Sequence, residues 1–115
     1  MLMESIPKYD ARYLAGIATF NTGNYFEAHE IWEDLWKNCP AEERLFIQSL
    51  IQAAVALYHW SRKNPTGAMK QLTRGRDKMQ RYRPVHAGLN VDEFWNAVEL
   101  CLSNGAAKPS IELLN

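Results

Sequence analysis

From Leu45 to Trp60 the chain is apolar on nearly every side of a helix, interrupted only by Gln48, Ser49, Gln52 and His59. Such a helix has no solvent face of its own and must be wrapped by other elements. It is too short and too polar to span a bilayer. It therefore reads as the buried centre of a helical domain whose neighbours supply the walls. With 115 residues, the chain has enough apolar side chains for one such core and makes one domain.

The neighbours also read as helices, because β-branched residues are few and no Asn-Gly turn separates alternating runs. Local chemistry marks their ends. Asp10 caps a first helix that runs to about Thr22. Asn24, three residues before Glu27, opens a second with a capping box. Pro40 stops it near Asn38 by disfavouring helical geometry at Cys39. The same proline suits the first turn of the third helix, where Glu42 and Glu43 favour the dipole. That helix runs to about Lys63. Asn64 and Pro65 cap and start a fourth, which ends before Pro84. After a loop holding His86 and Gly88, Asn90 with Glu93 caps a fifth helix that ends near Gly105. The predicted architecture is an all-α bundle of about five helices around the third. Its core spans about residues 10–105, and residues 106–115 form a loosely docked or frayed tail.

Thirteen basic and thirteen acidic side chains cancel, so no global field draws nucleic acid or an anionic membrane. The signs are nevertheless segregated. Acids concentrate from Asn24 to Arg44 and bases from Arg62 to Arg83, so the two segments can pair with each other or with partners. Lys70, Arg74 and Lys78, four apart, read as a solvated stripe. No groove-reading motif or aromatic platform accompanies them, which sets nucleic-acid binding aside. Cys39 and Cys101 lack metal-type spacing and read as thiols of a reducing cytosol, which places the chain in the cytoplasm. The opening M-L-M-E-S-I-P-K does not read as a signal peptide.

On the second helix Tyr25, Ala28, Trp32, Leu35 and Trp36 share one face at 100° per residue. His29 borders that face, Glu33 lies one turn further on, and Glu30 sits just outside. On the third helix Gln48, Gln52 and His59 fall in one narrow sector. Unsatisfied buried amides cost roughly 1–3 kcal/mol each, so this polar strip is expected to find His29 and Glu33 across the helix pair.

A faint repeat adds to the pattern. Gly23, Tyr25, Ala28, Trp32, Leu35 and Pro40 have tetratricopeptide spacing, and Ala68, Leu72 and Gly75 echo part of it forty residues on. That period exceeds the usual 34 residues, so the reading is two related helical hairpins and not a repeat array. E-A-H-E-x-W-E-x-x-W, preceded by F-N-x-G-x-Y and followed by F-x-Q-x-L-I-Q-x-A-V-A-x-x-H and N-x-x-G-A, resembles the small helical domain-of-unknown-function family 309. The resemblance covers about residues 12–83 and implies a compact all-helical fold and no particular activity. Ser49 stands where that family typically carries glycine, so a close helix crossing there has to accommodate a hydroxymethyl group.

Two functions compete for these residues. In one, the chain is a binding or assembly module. His29, Glu30, Glu33, Gln48, Gln52 and His59 form a polar patch with Trp32 and Trp36 as its apolar wall. The occupant is a protein or peptide partner or a second copy of the chain. In the other, a small metal-dependent hydrolase, His29, Glu33 and His59 hold a divalent metal with Glu30 beside them. His29 and Glu33 are four apart, a spacing that chelates. Glu-x-x-His and His-Glu-x-x-His are both missing, however, since Phe26 precedes His29 by three and Glu33 ends the second pattern. Hydrogen-bonded histidines tying two helices together account for the same residues. The binding module is the favoured reading.

Overall fold

A computed structural model describes residues 8–114; the opening segment read above for a signal peptide lies almost wholly outside them. Among the described residues, five α-helices follow one another: α1 (Ala11–Asn21), α2 (Tyr25–Asn38), α3 (Arg44–Ser61), α4 (Pro65–Met79) and α5 (Val91–Asn104). Single 3-10 turns at Ala41–Glu43 and Gln80–Tyr82 lead into α3 and out of α4. No helix of the described residues is long and apolar enough to cross a membrane.

The helix ends obey the local chemistry with two differences. Asp10 accepts from the Arg12 N–H, Asn64 from the Gly67 N–H and Asn90 from the Glu93 N–H. Gly105 closes α5 in the left-handed conformation at φ 67°, which costs glycine nothing. Asn24, in contrast, makes no side-chain bond to the backbone. Its amide reaches the Glu27 carboxylate instead, Nδ2 to Oε2 at 2.9 Å. Pro40 stays extended, and the chain turns through Ala41–Glu43 before α3 begins.

α3 is the central helix. It packs between α2 and α4 and touches α5, while α1 covers α2. Phe46, Leu50, Ala53, Ala54 and Leu57 of α3 are wholly buried with Phe20, Trp32 and Val98. Two glycines set the helix spacings. A Cβ at Gly16 would overlap the Trp32 indole, so α1 approaches α2 as closely as it does only with glycine there. At the α3–α4 crossing, a Cβ on Gly75 would overlap Trp95 and press on Gln52. This is where Ser49 is accommodated. Its side chain is fully buried, and its Oγ donates to the Gly75 carbonyl at 2.7 Å. Glycine at 75 makes room for Trp95 and Gln52, and its carbonyl gives the buried Ser49 hydroxyl a partner.

Two features escape the sequence reading. Residues 85–90 form a miniature antiparallel hairpin, β1 (Val85–His86) with β2 (Leu89–Asn90). Its loop residues Ala87 and Gly88 both have positive φ, 48° and 75°, as tight two-residue hairpins require. Alanine in the place where asparagine usually signals such a turn hides it. The tail, expected to be loosely docked or frayed, is docked by specific bonds. Asn21 holds Ile111 from both sides, donating from Nδ2 to its carbonyl at 2.9 Å and accepting from its N–H at 2.7 Å. Ile111 is buried, and the Leu114 N–H bonds the Gly88 carbonyl at 2.8 Å. An amide side chain thus serves the extended backbone as a neighbouring strand would.

Candidate functional site: the open face of α2, α3 and α4

The half-buried residues of α3, among them Gln48, Ile51, Val55 and Tyr58, recur every three or four positions on the side turned away from the core. α2 borders this strip on one side. The exposed Phe26 ring lies 5.4 Å from Tyr58 and 4.9 Å from His29, centroid to centroid. α4 borders it on the other, where Lys78 Nζ donates to Gln52 Oε1 at 3.1 Å.

The expected polar patch divides across this face. His29 turns Nδ1 to the Phe26 carbonyl at 2.6 Å and Nε2 to Glu33 Oε1 at 3.0 Å. Both ring nitrogens are engaged within α2, and neither reaches the α3 glutamines. Gln52 bonds α4, which corrects the expectation that it faces His29. His59 Nδ1 lies 3.4 Å from Asn64 Nδ2 and belongs to the α3–α4 turn. Glu30 is exposed, and Gln48 sits half-buried on the strip. Trp32 is no ligand wall: it is wholly buried, packed 5.7 Å from the Phe20 ring and donating from Nε1 to the Tyr13 carbonyl at 3.3 Å. Trp36 is half-buried under the Arg44 guanidinium, which stacks 4.0 Å from its ring. The physical reason for the division is rotation. At 100° per residue Gln52 and His59 share one sector of α3, and that sector is turned toward α4 and its cap Asn64, not toward α2. Among the described residues no three His, Cys, Asp or Glu side chains gather as a metal ion would need; His29, Glu33 and His59 do not converge.

A second histidine–glutamate pair was not singled out from the sequence. His86, on the hairpin, directs Nε2 to Glu43 Oε1 at 2.8 Å. Its ring lies 4.6 Å from Phe46 and 4.7 Å from Tyr82. The Tyr13 hydroxyl donates to the Ala87 carbonyl at 2.9 Å and ties the same hairpin to α1. Burial pushes the Tyr13 phenol well above its ordinary pKa. Forty-three residues separate Glu43 from His86, and no local spacing announces the pair.

The structure defines a small all-helical domain with a mixed aromatic and polar face. The chain belongs to the family described as domain of unknown function DUF309, whose model matches residues 13–71, from α1 into α4. It is 42% identical over 64 residues to the uncharacterized protein YpuF of Bacillus subtilis (strain 168), a match covering 54% of this chain and 37% of that protein. It is 31% identical over 76 residues to an uncharacterized protein of Aquifex aeolicus (strain VF5), covering 65% of this chain and 23% of that protein. The chain thus spans well under half the length of these curated relatives.

Proposed function

We propose that the domain is a protein-binding module whose open α2–α3–α4 face receives an acidic amphipathic segment of a partner. The observation that carries this reading is the pairing of apolar and basic stripes on that face. Ile51, Val55, Tyr58 and Phe26 present an apolar strip, with Phe26 48% exposed. Lys78 reaches the edge of the strip through Gln52. Arg74 and Lys70, one and two turns before it on α4, are exposed cations. Arg44 and Arg62 stand at the two ends of α3, stacked on Trp36 and Tyr58. These bases outnumber Glu30 and Glu33 on the face, so it suits an acidic helix laid into it better than a second copy of itself.

The test is photocrosslinking from position 55. A photoreactive residue replacing Val55 is expected to capture segments with an apolar stripe and acidic flanks. The captured segment, made as a peptide, should bind wild type and lose at least about tenfold in affinity against Lys70→Glu/Arg74→Glu, with marked salt sensitivity. Capture equal to that from a control position on α1, Ala15, would overturn the reading. So would peptides that bind regardless of salt and of the α4 charges.

The metal-dependent hydrolase on His29, Glu30, Glu33 and His59 draws less support. His29 would have to release Glu33 or Phe26, and His59 would have to leave Asn64 and cross the strip. Metal content of wild type beside His29→Ala tests it, with a stoichiometric metal lost in the variant as the result in its favour.

A further inference from the structure

A separate cavity of about 210 Å³ lies where the start of α1, the α2–α3 junction and the hairpin meet. Its chemistry differs from that of the open face. Tyr9, Tyr13 and Phe46 form a chain of rings along it, with centroids 5.7 Å and 6.1 Å apart. Leu35 and Ile47 complete an apolar wall, and Asp10 and Glu43 bring carboxylates to the same cavity. Asp10 is committed to α1, capping Arg12 N–H and pairing with the Arg12 guanidinium at 3.1 Å. Glu43 is held on one side only: His86 takes Oε1, and among the described residues no hydrogen bond is made to Oε2. The stacking of His86 on Phe46 and Tyr82 fixes that carboxylate in place beside the cavity.

Aromatic faces joined to one positioned carboxylate are a means by which proteins take up alkylammonium groups, because the ring quadrupole attracts a cation whose weak hydration costs little to give up. The chain itself illustrates the attraction at the rim. Lys8 lines the cavity, and its Nζ stands 5.5 Å from the centre of the Tyr9 ring.

We propose that this cavity is a binding site for an alkylammonium head group, with Glu43 as its counter-charge and Tyr9 as its accessible aromatic wall. The group's source is either a free small quaternary amine or an N-methylated lysine side chain, and the cavity volume suits the head group of both. The site is independent of the open face, so the two stand or fall separately.

The experiment is a titration followed by amide and indole NMR shifts, with choline, with its neutral isostere 3,3-dimethylbutan-1-ol, and with N-acetyl-trimethyllysine methylamide. Choline or the lysine derivative is expected to bind saturably, with a dissociation constant on the order of millimolar. Shifts should be confined to Tyr9, Tyr13, Glu43, Phe46, Ala87 and their neighbours. The tighter of the two cations identifies the source. Glu43→Gln should weaken binding about tenfold, and Tyr9→Leu should weaken it while keeping the wild-type spectrum elsewhere. Equal binding of the neutral isostere would overturn the proposal, since the cavity would then be merely apolar. Absence of saturation by either cation at 50-fold above that range, roughly 50 mM, would also overturn it.

Discussion

At the two ends of α3 the same chemical pair, a histidine against a glutamate beside aromatic rings, is built in two different ways. Near the C-terminal end, His29 meets Glu33 four residues on along α2, and Phe26 bridges the pair to Tyr58. Near the N-terminal end, Glu43 meets His86 from the far side of the chain, and the imidazole lies against Phe46 and Tyr82. The first pair forms whenever α2 forms, so it contributes little to choosing the fold. The second exists only when the hairpin has returned to α3. Its order is a consequence of tertiary packing, and its removal loosens that packing. Helix i,i+4 pairs contribute a few tenths of a kcal/mol, whereas an aromatic contact adds about 0.5–1.5 kcal/mol beyond the area it buries.

The largest test of this contrast is His86→Ala. It removes the contacts with both rings together with the Glu43 bond, and urea unfolding should show a loss of about 2 kcal/mol. His29→Ala should lose less than half of that. Equal losses would mean that the two pairs are energetically alike and the distinction has no consequence.

Alkaline pH sharpens the contrast next. The hairpin end depends on the Tyr13 phenol, whose hydroxyl holds the Ala87 carbonyl. Burial raises its pKa above the ordinary 10.0, so the unfolded phenol ionises first. Its contribution to stability is fully present below pH 10 and is lost as pH rises beyond it. Tyr25, pushed up by burial to about 12, adds a slope in the same direction. Wild type should therefore lose stability above pH 10 more steeply than Tyr13→Phe, which retains the slopes of Tyr25, Tyr82 and the two thiols, all raised by burial. Hydrogen exchange at Ala87 and Gly88 should rise in the same range. Parallel stability curves for the two proteins would remove Tyr13 from the argument.

The smallest effect comes from double-mutant cycles on the pairs themselves. Coupling between His86 and Glu43 should be about 1 kcal/mol, and that between His29 and Glu33 about 0.3 kcal/mol, because Glu33 is half exposed and screened by solvent. A stronger coupling on α2 than across the hairpin would reverse the ranking.

How much of this was legible follows from the range of each interaction. Asp10, Asn64, Asn90 and Gly105 act within a few residues of themselves, so the limits of α1, α4 and α5 could be read from spacing alone. The His29–Glu33 pair was equally legible, being four apart on one helix. The strip of Gln48, Gln52 and His59 was visible as a strip, but its direction was not. Helical spacing relates residues on one helix and is silent about which neighbour that sector meets. Gln52 therefore went to Lys78 of α4 and His59 to Asn64, where α2 had been expected. Trp32 shows the same limit: its indole could equally have lined a site or filled a core, and Gly16 on α1 decided for the core by letting the helices close over it.

By itself the chain determined that it would be helical, where most helices begin and end, and that α3 would lie at the centre, because capping, proline geometry and apolar periodicity are local properties. Only the tertiary structure decided that the Gly75 carbonyl would take the Ser49 hydroxyl, that Asn21 would bind the tail at Ile111, and that Glu43 would stand against His86 beside an aromatic cavity. Those contacts join residues 26, 90 and 43 positions apart, and over such distances it is the packing of whole helices, not the residues between, that sets who meets whom.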